Sequence, residues 1–228
     1  ICYICRRGAV SARFVKILRQ NGWMRPLLRS MAAAVTALGL YVAPGPARAC
    51  DIALAFAVDI SGSISLQEFR VQMQGVAEGL RDPFIRDELV RAQANLMVLQ
   101  WTGARHQGLA IPWTPIASEG DVLAFADRMA QMPRMYPGSN TAIGEALAYA
   151  GAAFAEASHC RRQVIDITGN GQSNAGRPPA LLRETLGGQG ITVNALVMGE
   201  EPVTLAHYFV DNVIRRPGRF RAERADDP

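Results

Sequence analysis

Residues Ile52–Val58 read IALAFAV, seven apolar residues without a polar break. A run of that kind suits a strand buried on both faces, as in the middle of a parallel sheet. Val164–Thr168 and Ile191–Met198 are further strand-like runs. Between them lie stretches with helical spacing. Leu66–Leu80 carries Phe69, Met73, Val76 and Leu80 on one face, and Thr141–Ala157 is rich in alanine. Ser118 is placed to cap a helix reaching Gln131, and Pro179–Leu186 and Leu205–Ile214 read as two more helices. Asn95–Trp101 and Gly108–Trp113 are short strands joined by the polar link Thr102–Gln107, which suits a hairpin. Arg219–Glu223 is read as a last strand. The order predicts an α/β fold: a Rossmann-like doubly wound, mostly parallel sheet with one antiparallel strand, flanked by helices. Ligands in such sheets bind beyond the carboxyl ends of the strands.

Charge is divided unevenly along the 228 residues. Eight of the 24 basic residues and none of the 20 acids lie in residues 1–49, which leaves 16 bases against 20 acids from residue 50 onward. A mildly acidic body excludes a nucleic-acid partner of the electrostatic kind. The basic start Met24–Arg29, the apolar Met31–Ala43 and the small residues of Ala47-Arg48-Ala49 have the order of a cleavable signal peptide. A membrane anchor is the rival reading, but 13 apolar residues fall short of the roughly 20 a spanning helix needs. Residues 1–23 are read as a spurious upstream extension, 24–49 as the signal peptide, and 50–228 as the domain, with no transmembrane segment in the mature chain. The expected location is periplasmic or secreted, in a Gram-negative-type bacterium.

Removing the leader leaves two cysteines, Cys50 and Cys160, each just before an apolar run. In an oxidising compartment they read as a disulfide between neighbouring strand starts, the alternative being two unpaired small hydrophobes.

Directly after the first run comes Asp59-Ile60-Ser61-Gly62-Ser63. About 0.02 such D-x-S-x-S patterns are expected by chance at this composition. Thr141 stands at the expected start of the alanine-rich helix, and Asn170 follows the strand ending near Thr168. One carboxylate, three hydroxyls and an amide would meet at one sheet edge. Hard oxygen donors of that kind suit Mg²⁺, with Mn²⁺ as a substitute, rather than zinc or copper.

Asp59-x-Ser61-x-Ser63, the helix start Thr141-Ala142-Ile143-Gly144 and the loop Gly169-Asn170-Gly171 resemble the metal-ion-dependent adhesion site (MIDAS) of the von Willebrand factor type A (VWA) domain. Ala57–Ser63, Pro112–Thr114, Thr141–Leu147, Arg161–Gly176, Gly190–Asn194 and Tyr208–Phe220 further resemble a bacterial family of exported, functionally uncharacterised VWA proteins. The resemblance spans about residues 51–223. It implies that Ser61, Ser63 and Thr141 ligate the ion and that Asp59 and position 170 hold metal-bound waters. The open coordination position would accept an Asp or Glu of a protein partner. Two departures stand out. The family usually has Asp where this chain has Asn170, which removes a negative charge and should lower affinity for a dication. Asn170-Gly171 is also prone to deamidation, so a fraction of the protein is expected to carry Asp there. After Phe220 the family continues into a further helix that this sequence lacks.

Asp166, about 13 Å along the strand from Asn170, is too far to share an ion and reads as a buried, hydrogen-bonded carboxylate. His106, His159 and His207 share no metal spacing, and Trp101 and Trp113 suit packing. The expected function is thus an exported, metal-dependent binding module. The alternatives are a metal-independent scaffold with a degenerate site and, third, a hydrolase. Against an enzyme, the chain has no G-x-S-x-G elbow, no histidine placed to activate Ser61 or Ser63, and no catalytic carboxylate pair. Oligomeric state is not legible.

Overall fold

The computed structural model describes residues 2–5, 50–198 and 202–215. The expected signal peptide and the expected strand at Arg219–Glu223 lie outside the described residues. Strand β2 (Ile52–Asp59) is one of the sheet's two central strands, flanked by β3 (Asn95–Thr102) and β5 (Arg162–Gly169), both parallel to it. β6 (Thr192–Met198) continues the parallel order beyond β5, and β4 (His106–Pro115) closes the other side antiparallel to β3. The expected architecture is the one observed. The sequence reading set Cys2–Cys5 outside the domain; the structure places these four residues as β1, an edge strand parallel to β6. The full order is β1-β6-β5-β2-β3-β4. On the outer strand β4, Pro112 and Pro115 and the register shifts opposite Leu96–Leu99 interrupt the ladder and make the edge a poor template for another strand.

Two helical layers cover the sheet. Helices α1 (Leu66–Arg81), α2 (Pro83–Arg91) and α3 (Glu119–Gln131) lie on one face; α4 (Ile143–Ala153), α5 (Pro179–Gly188) and α6 (Pro202–Asn212) lie on the other. The alternation along β2 explains both layers. Ile52, Leu54, Phe56 and Val58 fill the first core, whereas Ala53, Ala55 and Ala57 face the second. Three alanines leave room for the alanine-rich α4, which packs Ile143, Ala146, Leu147 and Ala150 against the sheet. That close approach fixes where the chain just before α4, including Thr141, meets the sheet's carboxyl edge.

Helix α2 was not expected from periodicity. Its signal is local: Asp82 accepts hydrogen bonds from the Phe84 and Ile85 amides at 3.0 and 3.3 Å, and Pro83 occupies the first turn. Ser118 caps α3 as expected, in a capping box with Asp121.

Cys50 and Cys160 form a disulfide, 110 residues apart in sequence. The register explains the meeting: Ile52 pairs with Arg162, so each cysteine lies two residues before a paired position. Closing a loop of that length stabilises the fold by about 4–5 kcal/mol in the chain-entropy model. Among the described residues no helix is long and apolar enough to cross a membrane.

Candidate functional site

β2 ends at Asp59 and delivers its carboxylate to the carboxyl edge of the sheet. Asp59 is wholly buried. Its backbone N–H donates to Thr168 Oγ1 on β5 at 2.9 Å, and Gln72 Nε2 on α1 donates to the same oxygen at 2.7 Å. Thr168 thereby ties the end of β2 to the helix above it. One carboxylate oxygen, Oδ1, accepts the Ser61 amide at 2.7 Å, while Oδ2 has no hydrogen-bond partner. Burial pushes the carboxyl up from 3.8 to about 6, against smaller downward pulls from the Ser61 side chain and amide, the Asn170 backbone and the Arg134 charge.

The turn after Asp59 brings the two serines together. Ser61 is fully buried, Ser63 is exposed, and their hydroxyl oxygens are 3.3 Å apart. Ser63 Oγ donates to Asn170 Oδ1 at 2.5 Å, and Asn170 Nδ2 donates to the Ser63 carbonyl at 3.1 Å. Asn170 thus spends both ends of its amide on Ser63. An aspartate could accept the first bond but could not donate the second.

The alanine-rich helix was expected to start at Thr141; α4 begins two residues later at Ile143, and its N-cap is Ala142, without a side-chain cap bond. Asn174 holds Thr141 instead: its Oδ1 accepts the Thr141 amide at 2.8 Å and its own amide donates to the Thr141 carbonyl at 2.9 Å. These bonds use only Thr141's backbone. Gly171 passes so close that a Cβ there would lie 3.9 Å from Thr141 Oγ1, which puts the threonine beside the Asn170 loop. Gly144 gives the reason for the tight fit: a Cβ on it would overlap the Arg177 carbonyl. Arg177 also pairs with Glu145 at 2.6 Å and so staples α4 to the loop carrying Asn170 and Asn174.

All five residues named from the sequence therefore lie on three adjoining loops, four of them linked by direct hydrogen bonds. Sequence reasoning missed Thr168, Gln72, Asn174 and Arg134, which position them. Asn174 lies four residues after Asn170 in the same polar loop, and that proximity was its signal. Gln72 is a polar residue within an apolar helix face, next to Met73. Asp166 accepts a hydrogen bond from Asn194 Nδ2 at 2.8 Å, as a structural carboxylate should.

The donor set fits a divalent cation on one observation: a fully buried carboxylate oxygen without a hydrogen-bond partner adjoins clustered hydroxyls. A second cluster, Cys50, His159 and Cys160, brings three ligand atoms within 4.8 Å at the opposite sheet edge, but its two sulfurs are bonded to each other.

A family model described as "Protein of unknown function (DUF1194)" matches residues 49–227. The chain belongs to the DUF1194 family. No curated protein matches this DUF1194 chain. Among solved structures it is similar to proximal thread matrix protein 1 (PTMP1) from the mussel byssus, with a TM-score of 0.53 at 20% identity, covering 71% of this chain and 47% of that one. PTMP1 with a zinc-occupied MIDAS motif gives a TM-score of 0.53 at 22% identity, covering 72% and 42%. The DUF1194 chain spans less than half the length of these neighbours, and the likeness is one of fold, the VWA fold.

Proposed function

We propose that this protein is a metal-dependent binding module of the VWA type, in which a divalent cation at the Asp59–Asn170 site captures an acidic side chain of a protein partner. Ser61, Ser63 and Thr141 would hold the ion directly, and Asp59 and Asn170 would do so through water. The observation that carries this reading is the orphaned, fully buried Oδ2 of Asp59. A buried ionised carboxylate with one oxygen left unpartnered is costly, and a cation nearby would reduce that cost. When bound, the ion would supply a Lewis-acidic position for a partner's carboxylate oxygen.

The residues divide the work. The sheet holds Asp59 rigidly through Thr168, and Asn174 fixes Thr141 so that its hydroxyl is left for another purpose. Asn170 contributes no charge, so the site carries one carboxylate in place of the two that the MIDAS resemblance implies. Mg²⁺ is the ion this oxygen set favours and Mn²⁺ its substitute. The zinc in the MIDAS of PTMP1 places Zn²⁺ in the same comparison. The disulfide supports an extracytoplasmic setting, periplasmic or secreted, with residues 24–49 as the leader. The reading is of a binding module rather than an enzyme.

The reciprocal Ser63–Asn170 bonds favour a second reading. They tie Ser63 to Asn170 by hydrogen bonds alone, as a scaffold with a degenerate site would. Calorimetric titration of Mg²⁺, Mn²⁺ and Zn²⁺ into the purified chain separates the two. Saturable binding abolished by Asp59→Ala supports the metal-dependent module. Binding only after Asn170→Asp supports the scaffold.

A further inference from the structure

The loop Ile60–Ile64, which presents both serines, is held from below by an arginine that no motif singles out. Arg134 follows α3. Its Nη1 donates to the Ile64 carbonyl at 2.8 Å, and its Nη2 donates to the carbonyls of Ile60 and, at 3.0 Å, Ser61. One planar guanidinium thus spans three carbonyls of a five-residue loop. Arg134 is itself bracketed. The fully buried Gln100 on β3 donates from Nε2 to the Pro133 carbonyl at 2.8 Å and accepts the Met135 amide on Oε1 at 2.8 Å. Those two groups flank Arg134 on either side in sequence. Two residues further along β3, Thr102 Oγ1 accepts the Ser139 amide at 2.8 Å. The Ser139 carbonyl in turn accepts the Gly62 amide at 2.7 Å. Gly138 presses on the loop so closely that a Cβ there would sit 2.6 Å from Arg134 Nη2 and 2.8 Å from Gly62 Cα.

We propose that Arg134, braced by Gln100, is a positioning residue that holds the Ile60–Ile64 loop in its ligand-presenting shape before any ion arrives. The inference rests on the metal-binding reading for its purpose and on hydrogen bonding alone for its mechanism. The geometry has a specific consequence. The carbonyls of Ile60, Ser61 and Ile64 are committed to a fixed guanidinium and cannot turn into the site, while the Ser61 and Ser63 hydroxyls stay outside that clamp. A positive charge beside a cation site would by itself oppose a dication, so the positioning effect has to outweigh the repulsion. A lysine keeps the charge but cannot reach three carbonyls with a planar fork.

The test compares the full chain with Arg134→Lys and Arg134→Gln, and it has two readouts. In EDTA, amide hydrogen exchange is followed at Gly62 and Ile64, whose N–H groups bond to Ser139 and Ser61. Both amides are expected to exchange at least tenfold faster in Arg134→Gln, while Ala55 in β2 keeps its wild-type rate. Mn²⁺ titration is then expected to show affinity about 10- to 100-fold lower in Arg134→Gln, the usual scale for removing a support of a ligand, with a smaller loss in Arg134→Lys. Unchanged exchange at Gly62 and Ile64 overturns the proposal. So does Mn²⁺ binding that is tighter in Arg134→Gln than in wild type, since Arg134 would then act only as a repelling charge. If wild type binds no ion, the metal-binding reading fails, and the exchange data alone decide the clamp. If Arg134→Gln does not fold, Arg134→Lys carries both readouts.

Discussion

Asp59 makes a quantitative prediction about stability and pH. Its folded-state value is about 6 against 3.8 for the ordinary group, because burial outweighs the hydrogen bonds it accepts. Between those values the folded state binds more protons than the unfolded state, so this group adds stability as pH falls and withdraws it as pH rises through about 6. Integrating between those two values, metal-free wild type should gain about 2–3 kcal/mol relative to Asp59→Asn on going from pH 7.5 to pH 4, roughly half of it present by pH 5. For a domain of this size the gain corresponds to a relative rise in Tm of about 5–10 °C. Taking the difference between the two proteins cancels every other titrating group. It also cancels any constant penalty for the asparagine's extra N–H. Urea unfolding in EDTA across that pH range, followed by circular dichroism, measures it. With saturating Mn²⁺ the trend should reverse, because Asp59 then stays ionised in the folded state and the stabilisation is lost as pH falls. A flat difference in EDTA, or one that favours Asp59→Asn at low pH, would refute the claim that burial without a partner dominates this carboxylate.

Three further outcomes follow from the same geometry. Asn170→Asp restores a second carboxylate and should raise Mn²⁺ affinity about tenfold by calorimetry, an effect of about 1.4 kcal/mol, even though it loses the donor to the Ser63 carbonyl. Thr168→Val leaves the Asp59 amide and the Gln72 amide group without their shared acceptor, so chemical denaturation should show a loss of about 2–4 kcal/mol. Replacing both Cys50 and Cys160 by serine should cost about 3–5 kcal/mol, seen as a Tm lower by about 8–15 °C, and dithiothreitol should have no further effect on that variant.

Much of the architecture was legible in the chain because its causes are local. IALAFAV has to be buried on both faces, and its alternation of alanines with larger side chains already separates two helical layers of different closeness. The capping residues Asp82 and Ser118 mark helix starts, although only Ser118 was recognised, since α2 is too short for periodicity to reveal. Asp59, Ser61, Ser63, Thr141 and Asn170 were legible as a set because each directly follows a strand or precedes a helix, where an α/β sheet gathers its loops. A helix starting at Thr141 was the local reading that tertiary structure overrode: Asn174, from a different loop, took its backbone N–H, and α4 begins at Ile143.

What only the fold decided concerns partners distant in sequence. Thr168 reaches Asp59 across 109 residues, Gln72 reaches Thr168 across 96, and Arg134 reaches the serine loop across 70 to 74. No spacing rule connects such positions, because the hydrogen bonds depend on how strands order themselves in the sheet. The sequence by itself determined which oxygens were on offer and at which edge. Tertiary structure alone decided which were left without a partner. The pairing of Asn170 with Ser63 and the isolation of Asp59 Oδ2 are properties of burial and register, and they govern whether an ion is needed at all.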